Sequence, residues 1–176
     1  MNNQEDLVKA KQQLRELEKE ILLLKDPEKS LKFCVEQFTN NQPFDFEAHQ
    51  EIILKDLYSQ TTFNFAMYCT DENSNVEKLE DKIINYKNGY VIINFAKYVK
   101  NANKTKLTEA ILEHGSSLIY DFVDIVNLDC SNTEKIIKKL IELEDFKKAG
   151  KLLWTLKITN TYLNLVEKYE QLLIFI

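Results

Sequence analysis

The chain has 176 residues, a formal net charge of −5, 44% hydrophobic and 29% charged residues. That balance excludes disorder by composition and disfavours bulk, non-specific nucleic-acid binding, which rests on excess Lys and Arg. Only three glycines and two prolines occur, too few for sheet-rich folds with many tight turns or for phosphate-cradling loops, so helices joined by short turns are expected.

The length fits one domain, or one short solenoid plus an extra helix. Three widely spaced cysteines, Cys34, Cys69 and Cys130, argue against a disulfide framework and for a reducing, cytoplasmic setting. Met1 to Asp6 are polar and acidic, unlike a secretory signal. The longest wholly apolar run, Leu172 to Ile176, is far short of the ~20 residues of a membrane span, and no membrane partner is expected.

Taken in chain order, residues 1–25 read as an N-terminal amphipathic helix. Leu7, Leu14 and Ile21 stand seven apart, and Ala10, Leu17 and Leu24 complete an a/d seam. Such a helix either caps the following domain or serves self-association. In the second case Leu7, Leu14, Leu17, Ile21 and Leu24 would line a homodimer contact.

Residues 26–176 read as tandem helical hairpins. Apolar pairs recur at Leu23-Leu24, Ile53-Leu54, Ile83-Ile84, Ile111-Leu112 and Leu140-Ile141, with steps of 30, 30, 28 and 29 residues. A second anchor follows each pair by ten or eleven residues, at Val35, Phe65, Phe95, Phe122 and Leu152. Val76, Leu79, Ile83 and Ile84 share one helical face, as do Val91, Phe95 and Val99. Two helices per period, with about ten helices and no strand in all, form an all-α short α-solenoid in which neighbouring hairpins bury each other's faces.

Turn chemistry falls at matching phase. Asp26-Pro27-Glu28 has N-cap, N1 proline and acidic first turn, and Asp45 caps a helix from about Phe46. Lys87-Asn88-Gly89 and His114-Gly115-Ser116 place a glycine at a helix end. Ser74-Asn75-Val76-Glu77 and Ser131-Asn132-Thr133-Glu134 have capping-box form. The closing Leu172 to Ile176 is expected to pack against the last hairpin near Trp154, Leu156 and Tyr162, or else to remain an interaction patch.

The stretch from Ala102 through Asn103, Leu107, Ala110, Ile111 and Leu112 to Gly115 reads A-N-x-x-x-L-x-x-A-I-L-x-x-G, and Phe95, Ala96 and Val99 read F-A-x-x-V. These motifs resemble the short helical hairpins of about 28–30 residues in tandem-repeat proteins of unknown function from bacteria and giant viruses. The resemblance is best from about Phe63 to Val126. It implies an all-helical scaffold and no particular activity.

Chemistry-bearing residues are sparse. His49 and His114 lie about two repeats apart; His114 reads as a helix C-terminal cation and His49 as a solvent-facing residue near a first helical turn. Cys69 fills the slot of Val99 and Val126 and reads as core, as does Cys34, while Cys130 falls in the loop before Ser131 as the most exposed thiol. No Cys-x-x-Cys, His-Glu-x-x-His, EF-hand, Walker or Gly-x-Gly-x-x-Gly pattern occurs. Neither a catalytic constellation, a metal site nor a cofactor is expected.

Charge is banded instead. Lys97, Lys100, Lys104 and Lys106 precede an acidic stretch holding Glu109, Glu113, Asp121, Asp124, Asp129 and Glu134. Lys135, Lys138, Lys139, Lys147, Lys148 and Lys151 follow. Such bands steer charged partners. The expected function is a non-catalytic protein–protein interaction module. Its alternatives are a nucleic-acid-associated binder using the lysine bands, and a small phage or mobile-element effector that inhibits a host or defence enzyme by binding it.

Overall fold

A computed structural model describes residues 3–114, 118–126 and 128–176, and the side chains of these apart from 3–5, 121, 124 and 125. The described residues are helical throughout the regular elements, with no strand. The helices are α1 (Asn3–Leu24), α2 (Pro27–Thr39), α3 (Phe46–Ile53), α4 (Ser59–Cys69), α5 (Glu77–Asn85), α6 (Gly89–Tyr98), α7 (Lys104–His114), α8 (Ile119–Ile125), α9 (Cys130–Glu142), α10 (Phe146–Ile158) and α11 (Leu163–Lys168). A 3-10 turn, Glu170–Phe175, follows. Among the described residues there are eleven α-helices, against about ten expected.

Short polar side chains start the helices by satisfying backbone N–H groups that have no partner within the first turn. Asp26 Oδ1 accepts from the N–H groups of Glu28 at 3.0 Å and Lys29 at 3.1 Å, with Pro27 at N1. Asp45 accepts from Ala48 N–H at 3.0 Å. One expected cap shifts. The α9 cap is Asp129, whose carboxylate accepts from Asn132 N–H at 2.7 Å, so Ser131 lies inside the helix. At the start of α5, Asn75 accepts from Glu77 N–H at 3.0 Å, and the Ser74 hydroxyl donates to Asp71 at 2.9 Å.

The helix ends are also read differently from the glycine signals. Gly89 opens α6 rather than closing α5; the left-handed residue is Lys87, at φ 53°. Lys25, Asn41, Glu144 and Asn160 take the same conformation. At Glu144 the paired closing bonds are Glu144 N–H to Ile141 O and Asp145 N–H to Leu140 O, both 2.9 Å. The turn expected at Gly115-Ser116 lies outside the described residues.

The chain divides into two units, Met1–Ile83 and Ile84–Ile176, and α5 runs through the boundary. In the first unit α1 packs on α2 and α3, α2 on α3 and α4, and α3 on α4. Phe33, Cys34, Ile53, Phe65, Ala66 and Cys69 form its core. In the second unit α6 meets α7 and α8, α7 meets α8 and α9, and α9 meets α8 and α10. Its buried residues include Ile92, Phe95, Ile111, Phe122, Ile136 and Leu153. Each such side chain removed from water contributes ~1.5–3 kcal/mol of transfer free energy.

Burial follows the sequence period from Ile53 onward and departs from it before that point. Ile53, Ile83, Ile111 and Leu140 are buried, as are Phe65, Phe95, Phe122 and Leu152. Leu23, at the equivalent phase before them, is 80% exposed. The anchor expected at Val35 is taken by Cys34, fully buried, while Val35 is half-buried. One position along a helix turns a side chain by ~100°, so the shift moves the anchor to the neighbouring face.

The terminal segment packs on α10, toward its N-terminal end rather than at Trp154. Phe175 stacks on Phe146 with centroids 5.2 Å apart, and Leu172 is buried. A Cβ on Gly150 would lie 2.6 Å from the Leu172 carbonyl oxygen, so glycine there permits the close approach. Ile174 stays 80% exposed and Trp154 47%.

Candidate binding surfaces of the two units

His49 is fully buried, against the expectation of a solvent-facing residue. It lies on the Phe46, His49, Gln50, Ile53 face of α3, and that i, i+3, i+4, i+7 spacing turns it inward. Its Nδ1 stands 2.6 Å from Ser30 Oγ, its ring stacks on Phe33 at 5.2 Å, and its Nε2 lies 3.5 Å from Glu18 Oε1. Burial holds the imidazole below its ordinary pKa, opposed first by the Glu18 carboxylate and then by Asp45. Nδ1 and the Ser30 hydroxyl share this hydrogen bond, and the buried Nε2 faces the Glu18 carboxylate.

Serine, histidine and acid side by side invite comparison with a nucleophile and its base. Ser30 is itself fully buried, so no substrate reaches its oxygen, and the trio tethers α1 to α2 and α3. Glu18 completes the tether by accepting from Asp45 N–H at 2.7 Å.

Beside the tether a cleft of about 370 Å³ separates α1 from the α2–α3 connection. Lys11, Leu14, Arg15 and Glu18 line one wall, and Gln42, Pro43 and Phe44 the other. A second depression, of about 720 Å³, runs between α2 and α4. Leu31 and Val35 border it with Tyr58 and Tyr68, both exposed, and Glu28, Lys32, Gln60 and Asn64 add polar groups.

The α1 seam is split between two environments. Leu14 and Ile21 are half-buried, as is Glu18 between them, whereas Leu7, Leu17 and Leu24 are exposed. Leu14 and Ile21 of one column therefore serve the first unit, while Leu7 at its start and Leu17 and Leu24 of the other face solvent.

In the second unit the lysine bands are partly neutralised. Lys138 lies 3.1 Å from Glu134, Lys139 3.2 Å from Glu142 and Lys148 2.8 Å from Asp145. Lys135 reaches Glu109 at 2.8 Å, and Lys168 reaches Glu134 at 2.6 Å. Hydrogen bonds from Lys168 and Lys138 pull the Glu134 carboxyl down to about 2. Lys97 sits over the Tyr98 ring at 4.8 Å, and Lys104 and Lys106 are half-buried and not free. Lys100, Lys147 and Lys151 are exposed. The last two share a face of α10 with exposed Trp154 and Ile158, at i, i+4, i+7 and i+11. Asp121 and Asp124 of the acidic band have side chains outside the described residues.

The thiols separate as their positions suggest. Burial pushes Cys69 up to about 12 and raises Cys34 further in the same direction, so both are unreactive core groups. Cys130 is half-buried as the first residue of α9 rather than a loop residue, with Sγ 3.8 Å from Asn164. His114 closes α7, 3.6 Å from Glu113. No cluster of three His, Cys, Asp or Glu among the described residues is arranged to hold a metal ion, and no described helix is long and apolar enough to cross a membrane. Comparison with protein-family models, with curated proteins and with solved structures finds no match.

Proposed function

We propose that the chain is a non-catalytic protein–protein interaction module of the cytoplasm, built as a short α-solenoid of helical hairpins with α1 as an added amphipathic helix. The observation that carries this is the open α2–α4 groove, with Tyr58 and Tyr68 exposed beside Leu31 and Val35. Tyrosines that present an apolar ring and a polar tip on a rigid helical floor are characteristic of protein interfaces. Tyr58 and Tyr68 are separated by ten positions, about 15 Å along a helix, enough for roughly three helical turns of a partner.

The solenoid arrangement is supported by contacts between helices two apart in the chain. These are α1–α3 and α2–α4 in the first unit, α6–α8 and α7–α9 in the second. The recurrent burial of Phe65, Phe95, Phe122 and Leu152 supports the same hairpin period.

A photo-crosslinking residue placed at Tyr58 or Tyr68 should trap one protein from native lysate. A probe at exposed Glu51 should not, and the double variant Tyr58→Ala, Tyr68→Ala should fail to retain that protein. Groove probes that trap nothing above the Glu51 background, with RNA recovered instead and released by salt, would replace this reading by nucleic-acid association through Lys100, Lys147 and Lys151. If the trapped protein is an enzyme that loses activity on binding, the module acts as an inhibitory effector.

A further inference from the structure

The cleft between α1 and the α2–α3 connection has three chemically distinct parts. Lys11 and Arg15, one helical turn apart, form a cationic end, and neither stands in an ion pair with a described side chain. Phe44, half-buried, supplies a flat wall together with Leu14 and Pro43. Its ring is backed by Phe46 at 6.3 Å and His49 at 6.1 Å, which fix its orientation. Glu18 closes the other end, and its described polar contacts, with Asp45 N–H and His49, are made through Oε1.

Lys11 and Glu18 lie seven positions apart on one face of α1, about 10 Å along the axis. Lys11 and Glu18 therefore mark the two ends of the α1 wall, and Phe44 stands on the facing wall beside Asp45, whose N–H holds Glu18. Arginine binds phosphate as a planar fork and lysine as a point charge. An aromatic face stacks any base. A carboxylate oxygen accepts from an exocyclic amine. A volume of about 370 Å³ falls in the range of small-ligand pockets.

We propose that this cleft binds a nucleoside monophosphate whose base carries an exocyclic amine. The phosphate lies at Arg15 and Lys11, the base against Phe44, and the amine N–H donates to Glu18 Oε2. The ligand bridges α1 to the α2–α3 connection, so occupancy fastens α1 onto the first unit. The same chemistry is offered by a free nucleotide and by the 5′-phosphorylated end of a nucleic acid.

Calorimetric titration of the full chain tests this with AMP, CMP, UMP, adenosine, inorganic phosphate and a 5′-phosphorylated oligonucleotide. AMP and CMP should saturate a single site, and UMP, lacking the amine, should bind at least tenfold more weakly. Adenosine and phosphate alone should each lose at least tenfold. Arg15→Ala should lose at least tenfold for AMP, while Lys9→Ala, an exposed cation on the opposite face of α1, should bind as the parent does. AMP should also slow tryptic cleavage after Arg15 in the parent chain. Tighter binding of the oligonucleotide than of AMP, with the same dependence on Arg15, would support the site and assign it to a nucleic-acid end. No saturable binding, equal affinity for phosphate and AMP, equal affinity for UMP and CMP, or indifference to Arg15→Ala would each overturn the proposal.

Discussion

Ser30 Oγ and Nδ1 of His49 share a hydrogen bond of 2.6 Å in the interior of the first unit, joining α2 to α3. The pair is shut off from water, and the other ring nitrogen points at Glu18 of α1. Three helices are thus connected through one imidazole. A buried hydrogen bond of this kind adds only ~0.5–1.5 kcal/mol net, yet leaving one partner unsatisfied costs ~1–3 kcal/mol.

Ser30→Ala should therefore lower the unfolding free energy by about 1–3 kcal/mol, because Nδ1 then loses its partner and no water can reach it. Urea denaturation followed by far-UV circular dichroism measures the change. A loss below ~0.5 kcal/mol would mean that the hydroxyl and imidazole are not paired in solution.

The same imidazole makes stability depend on pH. Burial depresses the folded-state pKa of His49 below the ordinary value of 6.5, so the unfolded chain takes up a proton first as pH falls. Its contribution is fully present above about pH 6.5 and is lost progressively below it, down to the folded-state pKa, with a slope of at most ~1.4 kcal/mol per pH unit. Glu18 and Asp45 face the ring and oppose this shift without cancelling it. Urea midpoints should fall between pH 7 and pH 5 in the parent chain. The fall should be shallower in His49→Gln, whose lower overall stability no longer includes the histidine proton. Parallel pH profiles for the two chains would refute the assignment.

The helix starts at Asp26 and Asp45 were legible in the sequence because a cap acts within three residues and needs no distant partner. The tether was not. Ser30 meets His49 across 19 positions and Glu18 meets Asp45 across 27. His49 could have been placed inside by its spacing from Phe46 and Ile53, but no pattern names what it touches. The lysine bands illustrate the same limit, since charge is countable while Lys135–Glu109 and Lys168–Glu134 depend on packing between helices. The α1 heptad was read as one seam, and tertiary contact divided it, with Leu14 and Ile21 turned toward the first unit and Leu17 and Leu24 left exposed.

Glu144 offers a stabilising substitution. It sits in the left-handed region at φ 58° just beyond α9, where a Cβ costs roughly 1–2 kcal/mol relative to glycine. The greater entropy of glycine in the unfolded chain offsets part of that gain. Glu144→Gly should raise stability by ~0.5–1 kcal/mol, seen as a higher thermal midpoint with an unchanged circular dichroism spectrum. Asp129→Ala, at the other end of the same helix, should cost ~1–2 kcal/mol by removing the acceptor for Asn132 N–H. Reversal of either sign would show that the α9 ends are not closed as described.

Gly150 tests the packing of the chain's last residues. In an exposed helix, Gly→Ala should stabilise by ~1 kcal/mol. Here the added methyl would stand 2.6 Å from the Leu172 carbonyl oxygen and 3.2 Å from Ile176 Cγ1. Backbone cannot yield as a flexible side chain does, so the terminal turn must move away from α10. That movement would part Phe175 from Phe146 and expose Leu172, and lost contact of this kind outweighs the helix propensity. Gly150→Ala should therefore destabilise by ~1–3 kcal/mol. Amide exchange from Glu170 to Phe175 should accelerate while exchange in α2 and α3 stays as in the parent chain. A variant as stable as the parent or more so, with exchange of the terminal turn unchanged, would mean that the turn does not rest on α10 at this position.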